Sequence, residues 1–325
     1  MDLTTSRAHY PARMARPNLP NLPTDPNWPR AGHLLGDKGH DTGVTAKGAA
    51  AIDVAVLGLA ASRRSISPTQ AHTTPGAIRE ALLRMSTWCW DHEVDLGALT
   101  WLDAGDIADI DDTFDSAVDA TLVGLAPRAR LILALGGDNS ITRAVGLGLW
   151  QQDPSRGGLI TVDAHHDLRD GRSNGSPVRE LIEAGLPGER VVQIGIASFA
   201  NSPAYAARAL ELGITVITRD QVQRRGVDDV MAQALEITAA APGGVYVDLD
   251  VDVCDRAVVP ACPAALPGGI SAWELRRLAY LAGASPFVRC LDITEVDAAA
   301  DSPDQRTVRL AALLMLEAAC GLASR

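Results

Sequence analysis

Four short stretches concentrate acidic, amide and imidazole side chains. They are Gly136-Gly137-Asp138-Asn139-Ser140, Asp163-Ala164-His165-His166-Asp167-Leu168-Arg169-Asp170, Asp248-Leu249-Asp250-Val251-Asp252-Val253-Cys254-Asp255 and Thr294-Glu295-Val296-Asp297. A single carboxylate of this kind is weak evidence of chemistry, because Asp and Asn recur as helix caps and turn formers, and Asp138 alone reads that way. Spacing changes the reading. Residues 163, 165 and 167 alternate, as do 250 and 252, so in extended chain each set points to one side. Together Asp163, His165, Asp167, Asp250 and Asp252 set four carboxylates and an imidazole at one place. Their mutual repulsion is prohibitive unless something positive stands between them, and a metal is the simplest remedy. Oxygen-rich ligands with one nitrogen donor suit a hard or borderline divalent ion. Two carboxylates able to bridge point to two ions, and manganese fits the set better than zinc.

Each stretch follows an apolar run. Strands are expected at Ile52 to Leu59, Trp101 to Leu102, Ala129 to Leu135, Gly158 to Asp163, Arg190 to Ile196, Ile214 to Thr218, Gly244 to Asp250 and Phe287 to Ile293. Most are continuous Val/Ile/Leu runs, the pattern of strands covered on both faces in a parallel sheet. Helical periodicity fills the intervals, for example Thr74 to Ser86, Ile141 to Gln151, Val227 to Ala240 and Ala272 to Ala282. Ser271 with Glu274 forms a capping box ahead of the last. The alternation predicts an α/β fold, a three-layer α/β/α sandwich around a central, mostly parallel sheet of about eight strands. Such sheets bind ligands beyond the carboxyl ends of their strands, where the four stretches fall.

The chain has 325 residues, 47% of them hydrophobic, enough for one large α/β domain. Residues 1–50 hold Pro11, Pro17, Pro20, Pro23, Pro26 and Pro29 with little apolar periodicity, and read as an extended Pro-rich arm ahead of a catalytic domain at 51–325. A net charge of -11 with no basic block argues against nucleic acid as a partner. No apolar run approaches the roughly 18 residues of a membrane span, and the N-terminus lacks a signal-peptide core, so a cytoplasmic protein that does not engage a membrane is expected. Five scattered cysteines without a C-x-x-C pair fit a reducing compartment.

From about Ile52 to Leu322 the chain resembles the ureohydrolase superfamily of arginase, agmatinase and formimidoylglutamase. Asp163 to Asp167 reproduces that family's Asp-Ala-His-x-Asp signature. Asp248 to Arg256 matches its Ser-x-Asp-x-Asp-x-x-Asp-Pro signature with Asp248 in the Ser place, and Pro267-Gly268-Gly269 and Glu295 also stand where the family has them. The resemblance implies two manganese ions bridged by Asp163 and Asp250, with Asp167 on the first, His165 and Asp252 on the second, and Glu295 pairing with a substrate amidinium. It also implies a homo-oligomer, a trimer or hexamer.

Two positions depart from the family pattern. Gly-Gly-Asp-His-Ser reads with Asn139 in the histidine place, so the first ion would take a weaker amide ligand. The agmatinase motif Ser-His-Gly-Thr-Pro-Phe-Arg reads Ser173-Asn174-Gly175-Ser176-Pro177-Val178-Arg179, without the histidine that would relay protons. His166 points away from the ions, to packing or to a bond behind the ligands. Formimidoylglutamases share the Asp-Leu-Arg sequence and lack that relay histidine, so Arg169, Asn174 and Ser176 are the expected substrate contacts. A substrate with two carboxylates needs arginines, and Arg63, Arg64, Arg169, Arg172, Arg179 and Arg256 fall in loops near the crevice.

The expected chemistry is hydrolysis of a carbon–nitrogen bond in a linear amidine or guanidine, formimidoylglutamate foremost. Paired ions of this kind make a hydroxide available near neutral pH for attack at the amidine carbon. Glu295 would hold the amidinium, and Asp167 would pass a proton to the departing nitrogen. Urea release by an agmatinase- or arginase-type reaction is the alternative. A further alternative is a non-catalytic ligand-binding member, since fold by itself does not establish activity.

Overall fold

The computed structural model describes residues 22–23, 25–36, 51–107 and 110–325. Its elements are β1 (Ile52–Leu59), α1 (Thr74–Leu82), β2 (Trp88–Cys89), β3 (Val94–Asp95), β4 (Trp101–Ile107), α2 (Ile110–Leu125), β5 (Ala129–Gly136), α3 (Ile141–Leu149), β6 (Gly158–Val162), α4 (Pro177–Glu183), β7 (Val191–Ile196), α5 (Pro203–Glu211), β8 (Thr215–Thr218), α6 (Arg219–Arg225), α7 (Val227–Thr238), β9 (Val245–Asp250), α8 (Ala272–Ala284), β10 (Val288–Thr294) and α9 (Arg306–Ala323). All eight expected strands are present, β4 running on to Ile107, and β2 with β3 adds a small antiparallel hairpin.

The eight-stranded sheet has the order β4-β1-β5-β10-β9-β6-β7-β8, and every pairing in it is parallel. The apolar runs explain this, because both faces of each central strand are covered. Val54, Leu131, Leu133, Val247 and Leu291 face one layer, with side chains of α1, α7, α8 and α9. Ala55, Leu57, Ile132, Tyr246 and Cys290 face the other, with α2, α3 and α4. Helix α9 crosses α8 closely. A Cβ on Gly283 would stand 2.0 Å from the Ala318 carbonyl oxygen, and one on Gly321 would stand 2.1 Å from that of Tyr280, so only glycine permits this approach.

The capping box at α8 forms as its sequence predicts, Ser271 accepting from the Glu274 amide. Most of the expected Pro-rich arm lies outside the described residues. Of what is described, Ala31–Leu35 forms a short 3-10 helix whose Ala31 and Leu35 are buried. Beside it Ala31 donates its amide to Met85 O at 2.8 Å, and Arg30 reaches Leu83 O at 2.8 Å.

The central strands β5, β10, β9 and β6 are consecutive neighbours, and the four acidic stretches follow their carboxyl ends. That adjacency brings together residues far apart in the chain. The crest is tightened at Gly137, whose amide donates to Leu59 O at 2.9 Å. A Cβ there would meet Ala61 O at 1.8 Å.

Candidate active site

Asp163, at the end of β6, is almost wholly buried, and its Oδ1 accepts the His165 amide at 2.6 Å. His165 Nδ1 lies 2.7 Å from Asp252 Oδ2 and 3.5 Å from Asp163 Oδ1. Asp252 Oδ1 accepts the Ala164 amide at 3.0 Å, and Asp250 Oδ1 accepts the Asp252 amide at 2.8 Å, so the turn after β9 is stitched to the turn after β6. One donor atom each of Asp163, His165 and Asp252 falls within 4.8 Å of the others, the spacing of ligands around an ion. Oδ2 of Asp163 is buried and has no hydrogen-bonding partner among the described residues. A buried carboxylate oxygen left this way is costly unless a cation takes it up, so the donor set fits a divalent metal.

The electrostatics agree. Burial pushes the Asp163 carboxyl up to about 7, and the charge on Asp252 adds to the effect. Burial also raises Asp167 and Asp250 well above the ordinary carboxylate range, reinforced by Asp163 and by Asp252 respectively. At His165 burial opposes the imidazolium, yet the Asp252 charge outweighs it and the ring is pushed up to about 11. Asp252 is held below its ordinary value because this imidazolium overrides the burial.

Asp167 and Glu295 complete the cluster, and both have left-handed backbone, φ 52° and 63°. A side chain in that region costs roughly 1–2 kcal/mol, so neighbouring bonds must hold it there. Asp167 O accepts the Arg179 amide at 3.2 Å, and the Glu295 amide donates to Gly137 O at 3.0 Å. Glu295 Oε1 accepts from the Asn139 amide at 2.7 Å and from Asn174 Nδ2 at 2.9 Å. Burial still raises the Glu295 carboxyl to about 7 against the Asn174 bond, which lowers it. Asn139 presents Nδ2 to Asp167 Oδ2 at 2.5 Å, while its Oδ1 accepts from the Thr142 and Thr294 hydroxyls at 2.8 and 3.1 Å. That orientation follows from the hydrogen-bond network, which fixes which end of an amide is which.

Behind the cluster lie residues the sequence did not single out. Gln193, fully buried on β7, meets His166 Nδ1 at 2.6 Å and donates to His166 O at 2.9 Å. His166 therefore bonds behind the ligands, one of its two expected roles. Asp248 stands in register with Asp292 across β9 and β10, both fully buried, and the Tyr246 hydroxyl donates to Asp292. Burial and the Asp292 charge push Asp248 well up, while Asp292 itself is raised by burial to about 6. Neither oxygen of Asp248 has a hydrogen-bonding partner among the described residues. Asp248 carried a hint in its two-residue spacing from Asp250; Asp292 and Gln193 have no local sequence signal.

A cavity of about 330 Å³ opens onto the cluster, lined by His165, Asp167, Asp250, Asp252 and Glu295 together with Ile66, Arg169, Asn174 and Tyr205. Of the arginines expected at the crevice, only Arg169 lines it. Arg172 pairs with Glu180 at 3.0 Å, Arg179 is spent on Arg169 O at 2.6 Å and on Glu183, and Arg256 donates to the carbonyls of Cys262 and Pro263. Ser176 does not line the cavity. It is fully buried, and its hydroxyl bonds to Ser173 O at 2.9 Å and Glu180 Oε1 at 2.6 Å, so it supports the loop from within.

The arginase-family model matches residues 52–321, the whole span that carries this site. The chain belongs to the arginase family. Among family members it is 35% identical over 271 residues to the formimidoylglutamase of Halalkalibacterium halodurans, covering 80% of this chain and 84% of that protein. The formimidoylglutamase structure from Bacillus subtilis superposes with a TM-score of 0.83 at 28% identity, over 94% of this chain and 95% of that one. Trypanosoma cruzi formiminoglutamase with manganese superposes with a TM-score of 0.80 at 25% identity, over 92% and 99%. The eight-stranded arginase-like architecture expected from the sequence is thereby established. Among the described residues no helix is long and apolar enough to cross a membrane.

Proposed function

We propose that this protein is a binuclear manganese-dependent formimidoylglutamase, which hydrolyses formimidoylglutamate to glutamate and formamide. The observation that carries the reading is one cavity lined by a metal-fitting acid cluster, by Glu295 and by one arginine, Arg169. The similarity to named formimidoylglutamases supports it.

In this reading Asp163 and Asp250 would be shared by two ions, with Asp167 on the first and His165 and Asp252 on the second, and Asn139 would join the first by turning its Oδ1 from the Thr142 and Thr294 hydroxyls. The ions supply a hydroxide near neutral pH and stabilise the charge that develops during attack. Glu295, held at Oε1 by Asn139 and Asn174, offers its other oxygen to the amidinium and keeps the amidine carbon electrophilic. Asp167 moves a proton to the glutamate nitrogen as the carbon–nitrogen bond breaks. Arg169 takes the glutamate carboxylates in a bidentate pair. Asn174 holds Glu295 in place of relaying a proton.

We further propose that residues 51–325 form the catalytic domain and 1–50 the arm, and that the protein works as a cytoplasmic homo-oligomer; its five free cysteines favour a reducing compartment. The test is a substrate panel of formimidoylglutamate, agmatine, arginine, guanidinobutyrate and guanidine with added manganese. Release of formamide and glutamate with the highest kcat/KM is expected. Urea as the main product, or binding of metal with no turnover of any member, would replace the reading with one of its alternatives.

A further inference from the structure

Arg208 lies on α5, outside the cavity, and grips the chain on both sides of Arg169. Its Nη1 donates to Leu168 O at 2.5 Å and to Asp170 Oδ1 at 2.9 Å, one contact before Arg169 and one after. Its guanidinium also packs 5.5 Å from the ring centre of Tyr205, which lines the cavity one helical turn earlier. The helix that carries both residues is anchored at its start, where Ser202 Oγ accepts the Tyr205 amide at 3.2 Å. Among the described residues the hydrogen bonds of Arg169 itself are main-chain ones, its amide to Gly175 O at 3.0 Å and its carbonyl from Arg179 at 2.6 Å. Arg179 also supports Asp167 through its own amide, so it serves the acid cluster as well. Among the described residues, the hydrogen bonds of Arg208 go to the segment that carries the substrate-facing arginine, and its ring contact goes to Tyr205.

We infer that Arg208 is a positioning residue for substrate selection: by clamping Leu168 and Asp170 it fixes where the Arg169 guanidinium meets the carboxylates of an anionic amidine. A fork-shaped bidentate contact demands that placement, since a shift of about 1 Å in a positioning group lowers rate or affinity steeply. The inference rests on the function proposed above and adds to it the element that sets selectivity.

The test compares wild type, Arg208→Met, Arg208→Lys and Arg169→Met, all loaded with manganese, on formimidoylglutamate and on N-propylformamidine, which has the same reacting group and no carboxylate. With Arg208→Met, KM for formimidoylglutamate should rise about tenfold with kcat within about threefold, and the kcat/KM ratio of the two substrates should fall about tenfold. Arg208→Lys, which still offers a cationic donor, should recover part of that ratio; if Arg208→Met does not fold, a fall of about threefold in Arg208→Lys carries the result. Equal losses on both substrates, or an unchanged ratio while Arg169→Met lowers it, would overturn the role of Arg208 and leave the proposed function standing. An unchanged ratio in Arg169→Met would overturn the inference and the substrate contact assigned to Arg169 while leaving the proposed activity standing, and no turnover of formimidoylglutamate by wild type would overturn the proposed function and the inference with it.

Discussion

Asn174 donates its side-chain amide to Oε1 of Glu295 at 2.9 Å across 121 positions of sequence. The position that holds a histidine in agmatinases therefore serves here to orient a carboxylate. Asn174→Ala removes this bond and the one that Asn174 Oδ1 accepts from the Ile66 amide at 3.0 Å, so turnover should fall about tenfold with a small loss of thermal stability, the loop keeping its bond from the Asn174 amide to Arg64 O. Steady-state kinetics beside a melting curve separate the two effects. Undiminished kcat/KM would show that Asn139 alone suffices to hold Glu295.

Glu295→Gln should cost about 3 kcal/mol of transition-state stabilisation, a loss of about a hundredfold in kcat/KM, since a neutral amide replaces a charged partner in a buried site. Folding should survive, as Oε1 accepts both of its hydrogen bonds, from the Asn139 amide and Asn174 Nδ2, and a Gln carbonyl oxygen can accept the same two. Normal turnover in this variant would remove Glu295 from the reaction.

Asn139→His tests the first metal position. An imidazole there is a better donor than an amide, so manganese affinity of the first site should rise by about tenfold in a metal titration. Turnover should fall, because Asp167 loses the amide that bonds it at 2.5 Å and because Thr142 and Thr294 must repack around a larger ring. Unchanged metal stoichiometry and affinity would make Asn139 a loop-holding residue.

Metal and protons compete for the same groups. Asp163 and Glu295 titrate near 7, and Asp167 and Asp250 are also raised, so the metal-free folded chain binds more protons than the unfolded chain between the ordinary carboxylate range near 4 and about 7. His165, raised to about 11, contributes stability that is complete below its ordinary value near 6.5 and is lost as pH climbs to about 11. Both effects act in one direction. Chelated protein should melt several degrees lower at pH 8.5 than at pH 6, and added manganese should raise Tm more at pH 8.5 than at pH 6. A Tm of the chelated protein that is flat between those values would contradict the proton-holding cluster.

Much of the fold was legible because buried parallel strands are written as unbroken aliphatic runs. Ile52–Leu59 has the same bounds in sequence and structure, and the other strands differ at their ends. Asp163, His165, Asp250 and Asp252 were legible because they cluster where strands end, although the extended alternation expected of them does not occur: β6 stops at Val162, Asp252 sits in a 3-10 turn at Val251–Val253, and Asp167 has left-handed backbone. Helix α9 was not among the named helices. It is apolar around most of its circumference, and periodicity fades when a helix is buried on several sides. The arginines were misleading because an Arg in a loop is equally suited to a ligand or to a neighbouring carbonyl. Arg179 and Arg256 took carbonyls, which no local pattern distinguishes from Arg169 lining the cavity. Asp292 and Gln193 owe their places to strand register and to packing across the sheet, which no linear motif encodes.

The parallel strand order has a kinetic consequence. Every pairing in the large sheet needs a crossover, and Asn139 meets Glu295 only after a segment of 156 positions has closed. Loop closure on that scale is slow, and strand edges stay unpaired while it proceeds. Because β10 sits between β5 and β9, it must insert between strands made earlier on the ribosome before the last carboxylate arrives. Completion of the substrate pocket at Glu295 is therefore a late event in biogenesis, a signal that the sheet has closed, whereas the metal-fitting residues of the neighbouring strands β6 and β9 meet without it.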